Sequence, residues 1–178
     1  VLRTLGWDRL FLRAARSAAL KNNKPEFERV VLYLYLFSTV LMQGIKLIKV
    51  PKHQDSRGCL IAFDQNQFTL FSLNRIYCIF DCPEFTARAG HAVSAHTALI
   101  VLNSSVNIDL DNGSKQLTLQ LSNPQQALCI HAGIWLRLSH FTADTILLAL
   151  ASQTYAKTTY FDCPQPNLLK NEEDIVWR

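Results

Sequence analysis

The sequence predicts an all-β domain, a sandwich or barrel of short strands, behind a short N-terminal helical extension. Three observations carry this. From residue 45 onward, apolar segments recur at roughly 8–12-residue spacing, as in sandwiches and barrels. Turn residues separate them: Pro51, Asp55-Ser56-Arg57-Gly58, Asp111-Asn112-Gly113 and Asn123-Pro124. Leu117, Leu119 and Leu121 alternate with polar residues, the period of a half-buried strand.

The elements follow in order. Residues 5–20 are rich in helix formers, with Arg3, Arg9, Arg13 and Arg16 set among apolar neighbours. Pro25 can open a second helix, with Glu26 and Glu28 near its positive end. Residues 30–45 carry no charge, but sixteen residues fall short of the roughly 20 that span a bilayer. A packing helix ranks first for this run, a membrane-associating helix second and a signal peptide last, since no small-x-small cleavage site follows. Its β-branched and aromatic residues keep a strand open as well. Met42 is the only methionine, and the expected domain begins there. Residues 1–41 are then an extension outside it, 42–163 the domain and 164–178 a solvated tail onto which Ile175 and Trp177 can dock. Within the domain, strands are expected at 45–50, 59–64, 68–73, 75–80, 98–102, 106–110, 117–121, 127–130, 135–138 and 145–151. The Asp111-Asn112-Gly113 turn joins two of them as a hairpin.

The 178 residues are 49% hydrophobic and 18% charged, enough apolar content for a core and against wholesale disorder. Residues 1–41 hold seven Lys/Arg and three Asp/Glu, whereas 42–178 hold eleven of each. The +4 charge therefore sits in the extension, and a neutral body argues against a nucleic-acid partner. An anionic small ligand stays open, because two or three placed arginines hold a diphosphate. Five cysteines, an odd number without a Cys-x-x-Cys pair, read as free thiols of a cytoplasmic protein. No Cys/His set has zinc-ligand spacing.

Several short motifs keep a particular order: residues 45–49, Asp55-Ser56-Arg57-Gly58, Arg75-Ile76-Tyr77, Arg88-Ala89-Gly90-His91, Leu110-Asp111-Asn112-Gly113, Asn123-Pro124, residues 130–135, and Leu150-Ala151-Ser152 with Tyr155 and Tyr160. This series resembles the sugar-nucleotide 3,4-ketoisomerases, the small WxcM-like cupins acting on dTDP-4-keto-6-deoxyhexoses, over roughly residues 43–162. The resemblance implies a cupin-type double-stranded β-helix (an RmlC-like jelly roll), often a homodimer, with the ligand in the barrel mouth. It implies movement of a ketone from C4 to C3 by acid/base proton transfer, in deoxysugar and surface-polysaccharide biosynthesis, with no metal or redox cofactor. A proton beside a carbonyl is acidic enough for a positioned imidazole, whose ordinary pKa lies near 6.5. His91 falls at the first histidine of the family's His-Ala-His motif and is the candidate base. Tyr77, at the family's Arg-x-Tyr position, is the candidate hydrogen-bonding partner of the sugar or thymine, completing the catalytic pair. Arg57 and Arg88 are candidate diphosphate or base ligands, Trp135 a flat wall, and His96 a substitute imidazole. The family pattern is broken at Val93, which stands at the motif's second histidine, and at Leu136, which stands at the histidine of Trp-His-Glu. The interval from His91 to Asn103 is one residue short, which in a strand would turn side chains to the other face. Retained arginines beside missing histidines support an alternative: a cupin that binds a nucleotide sugar or a partner without turnover.

Overall fold

A computed structural model describes residues 38–63 and 71–169. Thirteen strands, all paired antiparallel, build it: β1 (Ser38–Met42), β2 (Ile45–Lys49), β3 (Lys52–Asp55), β4 (Gly58–Ile61), β5 (Arg75–Ile79), β6 (Arg88–Val93), β7 (Thr97–Asn103), β8 (Val106–Asp111), β9 (Gln116–Leu121), β10 (Gln126–Ile130), β11 (Trp135–Ser139), β12 (Ile146–Ala151) and β13 (Tyr160–Phe161). A single helical turn, α1 (Pro166–Leu169), follows. The strands form a six-stranded sheet ordered β1-β2-β10-β7-β12-β5 and a five-stranded sheet ordered β13-β6-β11-β8-β9, with β3-β4 a separate hairpin.

The core lies where the inner faces of the two large sheets meet. Leu128 and Ile130 of β10, Leu99 and Val101 of β7, and Leu147 and Ala149 of β12 come from one sheet. Ile108 and Leu110 of β8 and Leu138 of β11 come from the other. The period-2 alternation of each strand sends these residues inward. The outer face of the six-stranded sheet carries a second apolar layer, Ile48, Ala98, Ile100, Ala127, Cys129 and Leu150, partly covered by Ile61, Phe63 and Phe71. Burial there pushes the Cys129 thiol up to about 12.

Three expectations change. Residues 38–41 belong to β1, which pairs with β2, so the sheet starts before Met42. The end of the uncharged run is thus a strand, as its β-branched residues allow. The segment after Pro164 is packed at its start: Leu169 is buried, and Gln165 N–H donates to Gly133 O at 2.8 Å. The strand expected at 68–73 is not formed by residues 71–73, and 64–70 lie outside the described residues, as do the helices expected in the extension and the docking of Ile175 and Trp177.

Candidate active site

The registers fix which side chains enter the space between the sheets. Paired residues on neighbouring strands share a face. His91 pairs with Leu136, and Leu136 with the core residue Leu110, so His91 faces inward. On β5, Tyr77 pairs with Ala149 and Arg75 with Ala151, so both point into the same space from the opposite sheet. On β13, Tyr160 pairs with Val93, two residues beyond His91 on the same face.

These residues form one cluster. The Tyr160 ring meets His91 edge-on, with centroids 5.0 Å apart. The Arg75 guanidinium lies 4.4 Å from the Tyr77 ring centre and 5.0 Å from that of Tyr155, a cation between two aromatic faces. Tyr155 and Tyr160 are 6.1 Å apart. Burial raises the Tyr77 pKa; nearby Arg75 opposes this, and the Tyr160 phenol adds to it. Tyr77 therefore stays protonated at neutral pH and serves as a hydrogen-bond donor.

Arg88 reaches the same face through a bulge. Leu136 pairs with His91 but Arg137 pairs with Ala89, leaving Gly90 as an extra residue. Ala89 and Gly90 have φ of 61° and 83°. The insertion turns Arg88, opposite Leu138, to the side that His91 faces. Arg88 Nε donates to Cys82 Sγ at 3.1 Å, and its side chain is exposed at the rim. The short interval after His91 is taken up in the three residues joining β6 to β7, so His91, Leu99 and Val101 all still face inward.

Three candidates stand elsewhere. Trp135 pairs with Ala92 and Asp111, one residue out of phase with Leu136, so it projects from the outer face of the five-stranded sheet. Arg57 sits at the tip of the β3–β4 hairpin, held by Asp55 at 2.6 Å in an exposed ion pair that lowers the Asp55 pKa. His96 packs edge-to-face on His131 at 4.3 Å and stacks on Phe71 at 6.1 Å. Burial, reinforced by His131, lowers its pKa to about 4. Its Nδ1 accepts a hydrogen bond from Ala132 N–H. His91, Tyr77 and Arg88 are brought to one mouth; Arg57, Trp135 and His96 are not. Arg75, Tyr155 and Tyr160 join that mouth unforeseen. For Arg75 the signal was present: at two residues from Tyr77 it shares that side chain's face. Among the described residues no three His, Cys, Asp or Glu side chains gather as a metal site.

Two facing antiparallel sheets whose open edge gathers an imidazole, phenols and guanidinium groups define a small cupin with a polar mouth. The chain belongs to the FdtA family, described as WxcM-like, C-terminal, whose profile matches residues 43–165. It is 34% identical over 116 residues to the TDP-4-oxo-6-deoxy-α-D-glucose-3,4-oxoisomerase of Aneurinibacillus thermoaerophilus, covering 65% of this chain and 84% of that protein. QdtA, a sugar 3,4-ketoisomerase from Thermoanaerobacterium thermosaccharolyticum solved with TDP, superposes with a TM-score of 0.63 at 28% identity, over 67% of this chain and 89% of its own. The TDP-quinovose 3,4-ketoisomerase WlaRB of Campylobacter jejuni gives 0.65 at 29%, over 73% and 100%.

Proposed function

We propose that this protein is a 3,4-ketoisomerase of a TDP-linked 4-keto-6-deoxyglucose, working by acid/base proton transfer with His91 as the base. One observation supports it above the rest: the His91 ring faces the space between the sheets against Tyr160, and protonated Tyr77 with the Arg75 guanidinium faces the same space from the opposite sheet. His91 takes the C3 proton; the C3–H electron pair becomes the C3=C4 bond, and the carbonyl π pair moves onto O4. Tyr77 donates a hydrogen bond to that developing oxyanion. Arg88 and Arg75 supply positive charge for the diphosphate. The chemistry needs only protons, so the reading assigns no cofactor. The product serves deoxysugar synthesis.

The test is hydrogen exchange. The full chain, incubated with TDP-4-keto-6-deoxyglucose in heavy water, should place deuterium at C3 of the remaining substrate and form the 3-keto sugar. His91→Ala should slow both by about 10²-fold or more. Full exchange in His91→Ala would remove the assignment of the base.

Val93 and Leu136 favour a second reading, a cupin that binds the nucleotide sugar without turnover. Neither side chain can carry a proton. TDP binding without any C3 exchange selects it.

A further inference from the structure

We propose that the Tyr160 hydroxyl is a second catalytic group, carrying the proton that must move between O3 and O4 of the sugar. This rests on the ketoisomerase reading. Shifting a ketone by one carbon relocates two protons, one from C3 to C4 and one from O3 to O4. A single imidazole working at carbon leaves the oxygen transfer unassigned. Val93, on the inner face beside His91, cannot perform it. Its register partner can: Tyr160 is opposite Val93 on β13 and presents its ring to the same space. The ring lies edge-on to His91 at 5.0 Å, and Tyr160 is 44% exposed, so the residue is not sealed inside the core.

The other groups in the cluster fit the role less well: the Tyr155 phenol packs on Arg75 and Tyr160, and the ring that meets His91 is that of Tyr160. Arginines keep their protons. Tyr77 is half-buried with Arg75 stacked on its ring, and its raised pKa keeps it a donor. A phenol is both donor and acceptor, and vicinal enediol oxygens lie close enough to share one. After His91 has removed the C3 proton, Tyr160 gives its proton to O4 and takes the one on O3. The O3–H pair becomes the C3=O bond, and the C3=C4 pair takes the proton from His91 at C4. Both side chains end as they began.

Tyr160→Phe keeps the ring and removes the relay. The expected result is C3 exchange in heavy water within a fewfold of wild type, TDP affinity unchanged, and formation of the 3-keto sugar slowed by about 10²-fold or more. Adding Val93→His to Tyr160→Phe returns a donor and acceptor to the paired position and should restore part of the isomerisation. It should also move the pH profile toward the range of an imidazole. Wild-type isomerisation by Tyr160→Phe overturns the proposal. Equal loss of exchange and isomerisation, with TDP still bound, overturns it too, since Tyr160 would then only position His91. If Tyr160→Phe fails to fold, full-length protein with 3-fluorotyrosine in place of tyrosine is the second probe. An isomerisation pH profile that does not shift relative to exchange overturns the proposal. No exchange by the wild type sinks the ketoisomerase reading itself.

Discussion

At the scale of single residues, the two imidazole environments differ in kind. His91 stands in the open mouth beside Tyr160, whereas His96 is half-buried against His131 and Phe71. His131 Nδ1 lies 2.9 Å from Ala132 O, a carbonyl that only accepts, so Nδ1 carries the proton there. Its buried Nε2 is then left without a partner. Burial of His96, and secondly the neighbouring His131, holds His96 neutral and lowers its pKa to about 4. In the unfolded chain the same imidazole titrates near 6.5. Between those values the unfolded state binds a proton that the folded state refuses. Stability is therefore complete above about pH 6.5 and declines as pH falls toward about 4. A gap of that size corresponds to about 3 kcal/mol at 1.36 kcal/mol per unit, reduced to about 2 by partial solvent exposure. Urea unfolding at pH 7 and pH 4.5 should show wild type losing about 2 kcal/mol more than His96→Asn. Parallel losses in the two proteins would contradict it. The type of such residues was readable in the sequence; their faces were not. Trp135 and Leu136 are neighbours in the chain, and only the pairing of β11 with β6 and β8 decides which one meets His91.

At the scale of elements, strands with strong alternation or apolar runs were legible: β2, β5, β7, β8, β9, β10, β11 and β12 all match expected segments, with ends within one or two residues. The elements that build the mouth were not. Arg88-Ala89-Gly90-His91-Ala92-Val93 is rich in small residues and shows no alternation, because the bulge breaks the period. β13 spans two residues, too short for any periodic signal. Function sits where the local rules are least obeyed. The bulge gives a clean test. A Cβ built on Gly90 meets nothing within 4 Å, so a substitution there is opposed only by the φ of 83°. Gly90→Val should cost about 1–2 kcal/mol, the penalty of a left-handed conformation for a residue with a Cβ, and more than Gly90→Ala because valine is branched. Denaturant midpoints measure this. Unchanged stability in both would mean that β6 does not carry the bulge, and Arg88 would lose its place on the face of His91.

At the scale of the molecule, the outer face of the six-stranded sheet is unfinished on one side. Ile61, Phe63 and Phe71 pack onto its middle, but Ile76, Phe80, Leu102 and Ile146, at or beside β5, β7 and β12, stay exposed. The outward residues of these strands, Ile76 and Cys78, Ala98 and Ile100, Leu148 and Leu150, carry no charge. An uncharged apolar face is complementary to itself, which suits a two-fold interface: no charge need find its opposite across the axis. Residues 42–178 balance eleven basic against eleven acidic side chains, so no net repulsion opposes pairing of the bodies. β5 is also an edge strand, and an edge with apolar neighbours is vulnerable unless it is covered. The occupant we propose is a second copy of the chain, set with its β5–β12 side against the same side of the first. Light scattering on the full chain should give twice the mass of a protomer. Ile76→Glu with Phe80→Glu places two like charges on each side of the axis, four in all, and should yield a monomer with unchanged β-sheet circular dichroism. TDP affinity should hold within a fewfold, because Ile76 lies on the opposite face of β5 from Tyr77 and Phe80 follows the strand's last residue, exposed. A monomeric wild type, or a double variant that still dimerises, would leave this face to another partner.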